Sequence, residues 1–107
     1  MLIDDDQLTN FINGKMIEKV FPTDEICSFL SAYEALEFFY SLSDLEHLSP
    51  VIFLDINMPG MNGWDFLNEI RKEFHFQHFR IHVLSSSIDP EDIKKAENDE
   101  LVQSYII

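Results

Sequence analysis

Four positions carry side chains whose types and spacing could do chemistry. Asp4 and Asp5 are adjacent near the start, Asp55 comes 50 residues after Asp5, and Ser85 comes 30 residues after Asp55. Carboxylates gathered into one crevice repel each other, which raises their pKa values and costs stability unless a cation intervenes. A hard oxygen-ligand site with few carboxylates suits Mg²⁺, which keeps several waters and commonly bridges to phosphate. A carboxylate can also attack phosphorus to give an aspartyl-phosphate, and metal neutralisation of the developing charge is then the main aid to reaction. A hydroxyl at Ser85 would donate a hydrogen bond to such a phosphoryl group. All of this requires a fold that brings distant acids to one place.

The elements that could do so alternate along the chain. Leu2-Ile3 reads as the end of a short buried strand that opens directly onto acids. Apolar residues then fall at Leu8, Phe11, Ile12, Met16 and Val20, the three-to-four spacing of a helix, with Asp6 as N-cap and Pro22 as stop. Glu25 to Leu30 reads as a second strand. A helix follows with Ala32, Ala35, Leu36, Phe39 and Leu42 on one face. Val51-Ile52-Phe53-Leu54 is the clearest strand, since four apolar residues in a row suit a central parallel strand covered on both faces. Met58-Pro59-Gly60-Met61-Asn62-Gly63 is turn chemistry. Asn62 is placed to cap a third helix with Phe66, Leu67, Ile70 and Phe74 inside. A fourth strand spans about Ile81 to Leu84. Asp89-Pro90-Glu91-Asp92 is a helix start with N-cap, proline at the first position and acids in the first turn. That helix has little beyond Ile93 and Ala96 to bury, and Leu101 to Ile107 closes as a fifth strand.

Strands alternating with helices of this length imply an α/β fold, a doubly wound parallel sheet with helices on both faces. Ligands of such folds bind outside the carboxyl ends of the central strands. Asp4-Asp5 follow strand one, Asp55 follows strand three and Ser85 follows strand four, so all converge on one rim.

These residues resemble the receiver domain of bacterial response regulators, of the chemotaxis type. That family carries an acidic pair after strand one, a phosphoacceptor Asp after strand three, and Ser or Thr after strand four. The segment Leu54-Asp55-Ile56-Asn57-Met58-Pro59-Gly60-Met61-Asn62-Gly63 is similar to the receiver signature around the phosphoacceptor. The resemblance covers essentially the whole chain and implies a flavodoxin-like sheet of order 2-1-3-4-5. It implies that Asp55 is the phosphoacceptor and a metal ligand, that Asp5 ligates Mg²⁺ directly, and that Asp4 acts mainly through a metal-bound water. Asn57 would offer its backbone carbonyl to the metal, Ser85 would hold a phosphoryl oxygen, and small Ser86 would leave the site open to a donor. Tyr105 matches the aromatic that moves inward when the hydroxyl residue shifts. Asn57 and Ser87 match the positions that tune loss of the phosphoryl group to water.

The implied partner is a sensor histidine kinase or histidine phosphotransfer protein, with a phosphorylation-dependent homodimer as a further implied assembly. The reading is a cytoplasmic signalling switch in a two-component phosphorelay rather than a metabolic enzyme. Two features depart from the pattern. The family lysine after strand five would fall just beyond Ile107, and no fifth helix is encoded. The expectation is therefore a single receiver domain over residues 1–107, truncated at its C-terminus. The alternative is a pseudo-receiver, a binding module that acts without phosphorylation.

Bulk composition narrows the classes further. The chain has 107 residues, the size of one ordinary domain, and 46% are hydrophobic, including 10 Phe. No apolar run approaches the roughly 20 residues of a membrane span, and acids stand where a signal peptide needs basic residues. Cys27 is the one cysteine, so neither an internal disulfide nor a zinc site is indicated. With 20 acids against 7 Lys and Arg, the net charge of −13 disfavours contact with nucleic acid. Asp55 to Gly60 begins like a calcium-binding EF-hand loop, but Phe66 stands where the bidentate glutamate belongs. A haloacid-dehalogenase-like phosphohydrolase needs an Asp two residues after its nucleophile, and that position is Asn57. His75 and His78 lack a third ligand and read as a packed connection.

Overall fold

The computed structural model describes residues 1–22, 26–42, 50–73, 79–85 and 88–106. Five strands alternate with four helices: β1 (Leu2–Ile3), α1 (Gln7–Val20), β2 (Ser28–Phe29), α2 (Ala32–Ser41), β3 (Val51–Leu54), α3 (Gly63–Glu73), β4 (Arg80–Leu84), α4 (Pro90–Asn98) and β5 (Val102–Ile106). The strands form one sheet in the order β2-β1-β3-β4-β5, and every pairing is parallel. This is the expected flavodoxin-like order. β1 sits between β2 and β3, so its carboxyl end is flanked by theirs. Among the described residues no helix follows β5, and no helix is long and apolar enough to cross a membrane.

The register shows how the two faces divide. Ile3 pairs with Leu54, and Ile52 pairs with Ile81. These side chains are fully buried with Phe39 of α2 and Phe66, Leu67 and Ile70 of α3 in one apolar cluster. Phe39 organises that cluster, with ring centroids 5.4 Å from Phe79 and 6.4 Å from Phe66. The opposite face carries Leu2, which pairs with Phe53 and meets Gly14 of α1. Phe53 stacks on His82 at 5.3 Å, and His82 Nδ1 lies 2.6 Å from Ser104 Oγ. On this second face Val51 and Phe53 remain half-buried, so β3 is fully covered on one side only.

Local sequence accounts for most element ends. Asp6 caps α1 by accepting from Leu8 N and Thr9 N, and Asp89 caps α4 by accepting from Glu91 N, with Pro90 in the first turn. Asn62 and Asp65 close a reciprocal capping box at α3: Asp65 N donates to Asn62 Oδ1 and Asn62 N to Asp65 Oδ2. α2 buries Ala32, Ala35, Leu36 and Phe39, as its spacing predicts, and Ser31 caps it. Within the described part of the expected span, residues 26–30, β2 occupies only Ser28–Phe29, because it is an edge strand whose neighbour β1 is itself two residues long; Glu25 lies outside the described residues. Leu101 belongs to the turn before β5 rather than to the strand.

α1 departs from expectation in a more consequential way. Its spaced apolar residues Leu8, Phe11, Ile12, Met16 and Val20 are 49% to 68% exposed. The side turned toward the sheet instead carries Asn10, Asn13, Gly14 and Ile17, of which Asn10 is buried. The apolar spacing located the helix but not the side that packs.

Candidate functional site

Three carboxylates meet at the carboxyl ends of β1 and β3. Oxygen atoms of Asp4, Asp5 and Asp55 all lie within 4.8 Å of one another. The parallel pairing creates this directly: Ile3 and Leu54 are register partners, and Asp55 N donates to Ile3 O at 2.9 Å, so the residues after each strand emerge side by side. Two of the carboxylates are already oriented by their own chain. Asp4 Oδ1 accepts from Asp6 N at 2.9 Å, and Asp55 Oδ1 accepts from Asn57 N at 3.2 Å.

Electrostatics mark the cluster as strained in charge. The Asp55 carboxyl is pushed up to about 6, chiefly by burial. The hydrogen bonds from Asn57 N and Ile56 N pull it back, and the charges of Asp4 and Asp5 raise it further. Asp4 is raised too, first by burial, against the Asp6 N–H bond, and then by Asp5 and Asp6. Partly buried like charges of this kind are the arrangement a cation relieves. The donor set is all oxygen, and the ligand oxygens of an octahedral Mg²⁺ shell stand about 3 to 4 Å apart. The three acids fit such an ion with small adjustment.

The loop after Asp55 is pinned by alternate side chains. Ile56 and Met58 are buried, while Asn57 between them is exposed at the rim. Gly60 adopts a φ of 75°, in the left-handed region that glycine tolerates. Gly63 opens α3 by donating to Ile56 O at 3.1 Å. Its missing side chain lets the helix lie against the backbone of Asp55 and Ile56.

Ser85 follows β4, the strand next to β3, and is buried at 8% exposure, with its N–H donating to Ile106 O at 3.0 Å. It therefore stands on the same rim as Asp55. Tyr105 lies in β5, in register with Val83, half-buried. It lines a groove of about 450 Å³ between α4 and β5, together with Ile93, Ala96 and Val102. Thus Asp4, Asp5 and Asp55 share one site, with Asn57 and Ser85 at its edge and Tyr105 one strand further away. Ser86, Ser87, His75, His78 and Phe74 lie outside the described residues.

Asn10 was not among the residues singled out from the sequence. It is buried, and its Nδ2 donates to Asp4 O at 3.0 Å and Phe29 O at 3.1 Å, directly beneath the acidic pair. Its signal was available as a polar residue on the α1 stripe Asn10, Asn13, Gly14 and Ile17, which repeats at helical spacing opposite the apolar one.

Comparisons with known proteins agree with this geometry. A family model described as "Response regulator receiver domain" matches residues 1–106. Over 96 residues the chain is 35% identical to a protein-glutamate methylesterase/protein-glutamine glutaminase of Treponema denticola, a match covering 88% of this chain and 23% of that protein. The chain thus spans about a quarter of that relative's length. A two component response regulator from Cytophaga hutchinsonii superposes with a TM-score of 0.88 at 36% identity, covering 98% of this chain and 80% of that one. The response regulator TrrA of Thermotoga maritima, in complex with Mg²⁺-BeF, shares the fold with a TM-score of 0.72 at 22% identity, covering 99% of this chain and 82% of that one. With the family match spanning nearly every residue and the sheet in the same parallel order, the chain belongs to the response regulator receiver domain family.

Proposed function

We propose that this receiver domain accepts a phosphoryl group on Asp55 in a Mg²⁺-dependent reaction and thereby changes which partner it binds. The observation that carries the reading is the meeting of the Asp4, Asp5 and Asp55 carboxylates within 4.8 Å at the ends of β1 and β3. An Asp55 oxygen attacks the phosphorus of a phosphohistidine, the phosphorus–nitrogen bond breaks, and the imidazole leaves with the bonding pair. Bound Mg²⁺ would supply charge neutralisation there, held by Asp5, Asp55 and the Asn57 carbonyl, with Asp4 acting through water. Ser85 donates its hydroxyl to the new phosphoryl oxygens, and Tyr105 follows that movement, so the α4–β5 groove changes shape. Such a switch is a shift between two packings rather than a new fold.

The donor is a sensor histidine kinase or histidine phosphotransfer protein, which places the domain in the cytoplasm. The acidic surface gives this domain no affinity for nucleic acid, and a homodimer of the phosphorylated form is an assembly it could enter. Sequence similarity to a methylesterase suggests one kind of enzyme that such a domain regulates. The Mg²⁺-BeF complex of the Thermotoga protein supports a metal in a site of this fold.

Intact-protein mass after incubation with a small phosphodonor tests the proposal. One phosphoryl addition that needs Mg²⁺ and is absent in Asp55→Ala supports it. Stoichiometric addition that persists in Asp55→Ala refutes the assignment of the acceptor. No addition to the folded, Mg²⁺-supplied protein favours the pseudo-receiver, a binding module that acts without phosphorylation.

A further inference from the structure

Asn10 has a burial that packing does not explain. It is 4% exposed and faces the sheet from a helix whose larger apolar residues face away. Its Nδ2 bonds two main-chain carbonyls at the ends of neighbouring strands, Asp4 O after β1 and Phe29 O at the close of β2. The amide cannot be turned over, since its oxygen would then face two acceptors. In the orientation it has, Oδ1 is buried and accepts no hydrogen bond among the described residues. A leucine would fill a similar volume without stranding a polar oxygen, and an unpaired buried acceptor is unfavourable. The two donated bonds are therefore the physical reason for an amide here.

Those bonds hold one residue in particular. Asp4 N donates to Phe29 O at 3.1 Å, and Asn10 bonds both that carbonyl and the carbonyl of Asp4 itself. The main chain at Asp4 is thereby fixed on both its N–H and its C=O side. Directly beyond it, three like-charged carboxylates crowd together and would spread if their backbone could yield.

We propose that Asn10 is a positioning residue for the cation site: its amide fixes the backbone of Asp4, keeping the Asp4 and Asp5 carboxylates beside that of Asp55. It touches no cation and acts through Asp4. The inference rests on the Mg²⁺ reading above and extends it to a residue outside the acidic cluster. Groups that orient metal ligands from behind typically set affinity by about 10- to 100-fold.

Calorimetric titration with MgCl₂ of the wild-type chain and of Asn10→Leu tests this, with urea unfolding of both in the absence of metal. The expected result is a dissociation constant for Mg²⁺ raised about tenfold or more, a loss larger than any change in the urea midpoint accounts for. If Asn10→Leu does not fold, Asn10→Ser carries the same comparison and the same expectation. A folded variant that binds Mg²⁺ as tightly as wild type overturns the proposal. So does a loss of affinity that merely tracks a lowered urea midpoint, which is a structural role. If wild type itself takes up no Mg²⁺, the metal reading falls and this inference with it. That failure appears in the unmutated protein and is distinct from the other two.

Discussion

Gly63 offers a sharp test of how tightly the fold holds the site. A Cβ at this position would lie 2.7 Å from Ile56 Cα, 2.8 Å from Asp55 O and 2.9 Å from Ile56 Cγ2. Ordinary contact begins at 3.4 Å, so the start of α3 must retreat by about 0.7 Å or the Asp55–Ile56 backbone must move by as much. Two of the three obstructing atoms are backbone, and they cannot rotate away. Retreat of α3 would disturb Phe66, Leu67 and Ile70, which are fully buried. Overpacking of this kind costs about 1–3 kcal/mol, which lowers a urea midpoint by roughly 1 M for a domain of this size. The site should suffer separately, because misplacing a reacting group by about 1 Å can cost on the order of 100-fold in rate. Gly63→Ala should therefore lower the midpoint and slow Mg²⁺-dependent phosphoryl uptake by about tenfold or more per folded molecule. Gly14→Ala is the matched control. Its Cβ would meet only Leu2 Cδ1, at 3.5 Å, an ordinary contact inside a helix. There alanine should add about 0.5–1 kcal/mol of stability and leave uptake unchanged. Urea unfolding followed by circular dichroism and a mass-spectrometric time course read both quantities. If Gly63→Ala behaves like Gly14→Ala, the close approach of α3 to Asp55 is not what shapes the site.

Two further outcomes follow from the same geometry. Asp55 binds its proton more tightly in the folded protein, at about 6 against the ordinary 3.8, so the unfolded state holds fewer protons between those values. Metal-free stability should then fall as pH rises from about 4 to 6. Asp55→Asn should flatten that part of the melting-temperature profile, and a wild-type minus variant difference that stays constant across the window would contradict the sign. Arg71 of α3 reaches Asp99 with paired contacts of 2.8 and 2.7 Å and also donates to Asn68 Oδ1. Arg71→Ala should cost roughly 1 kcal/mol, the upper end for a partly exposed pair, and the loss should shrink in high salt; a salt-independent loss would assign Arg71 to packing instead.

The strands and helix starts were legible because their signals are local. Val51 to Leu54 is apolar at every position, and Asp89-Pro90 and Asn62 are caps whose chemistry lies within a turn of the helix they open. From these the order of elements follows, and the rule for parallel sheets then takes Asp4, Asp5 and Asp55 to one rim. What stayed hidden depended on contacts between elements. Periodicity in α1 is stronger for Leu8, Phe11, Ile12 and Met16 than for the stripe that packs, because the packed side uses small and polar residues to approach β1 and β2 closely. Asn10 reads as an ordinary surface residue until both carbonyls it bonds are known, and they lie 6 and 19 residues away. The tightness at Gly63 is likewise invisible until α3 is laid against Asp55.

The acidic rim also shows how a cluster that weakens the fold can be held ready. Asp4 and Asp55 each accept at Oδ1 from the N–H two residues on, Asp6 N and Asn57 N respectively. Each carboxylate is thus oriented by its own loop, and Asn10 fixes the backbone beneath one of them. With one oxygen of each of the three carboxylates within 4.8 Å of the others and two of the side chains held by their own loops, part of the ordering cost of metal binding is met during folding. This division separates two variants that are easily treated alike. Asn at position 55 keeps an oxygen that can accept from Asn57 N, and so retains the turn while removing the charge that burial opposes. Ala removes both. A metal-free Asp55→Asn protein should therefore be more stable at neutral pH than wild type, and Asp55→Ala less stable than Asp55→Asn, because only alanine leaves the Asn57 N–H without its acceptor.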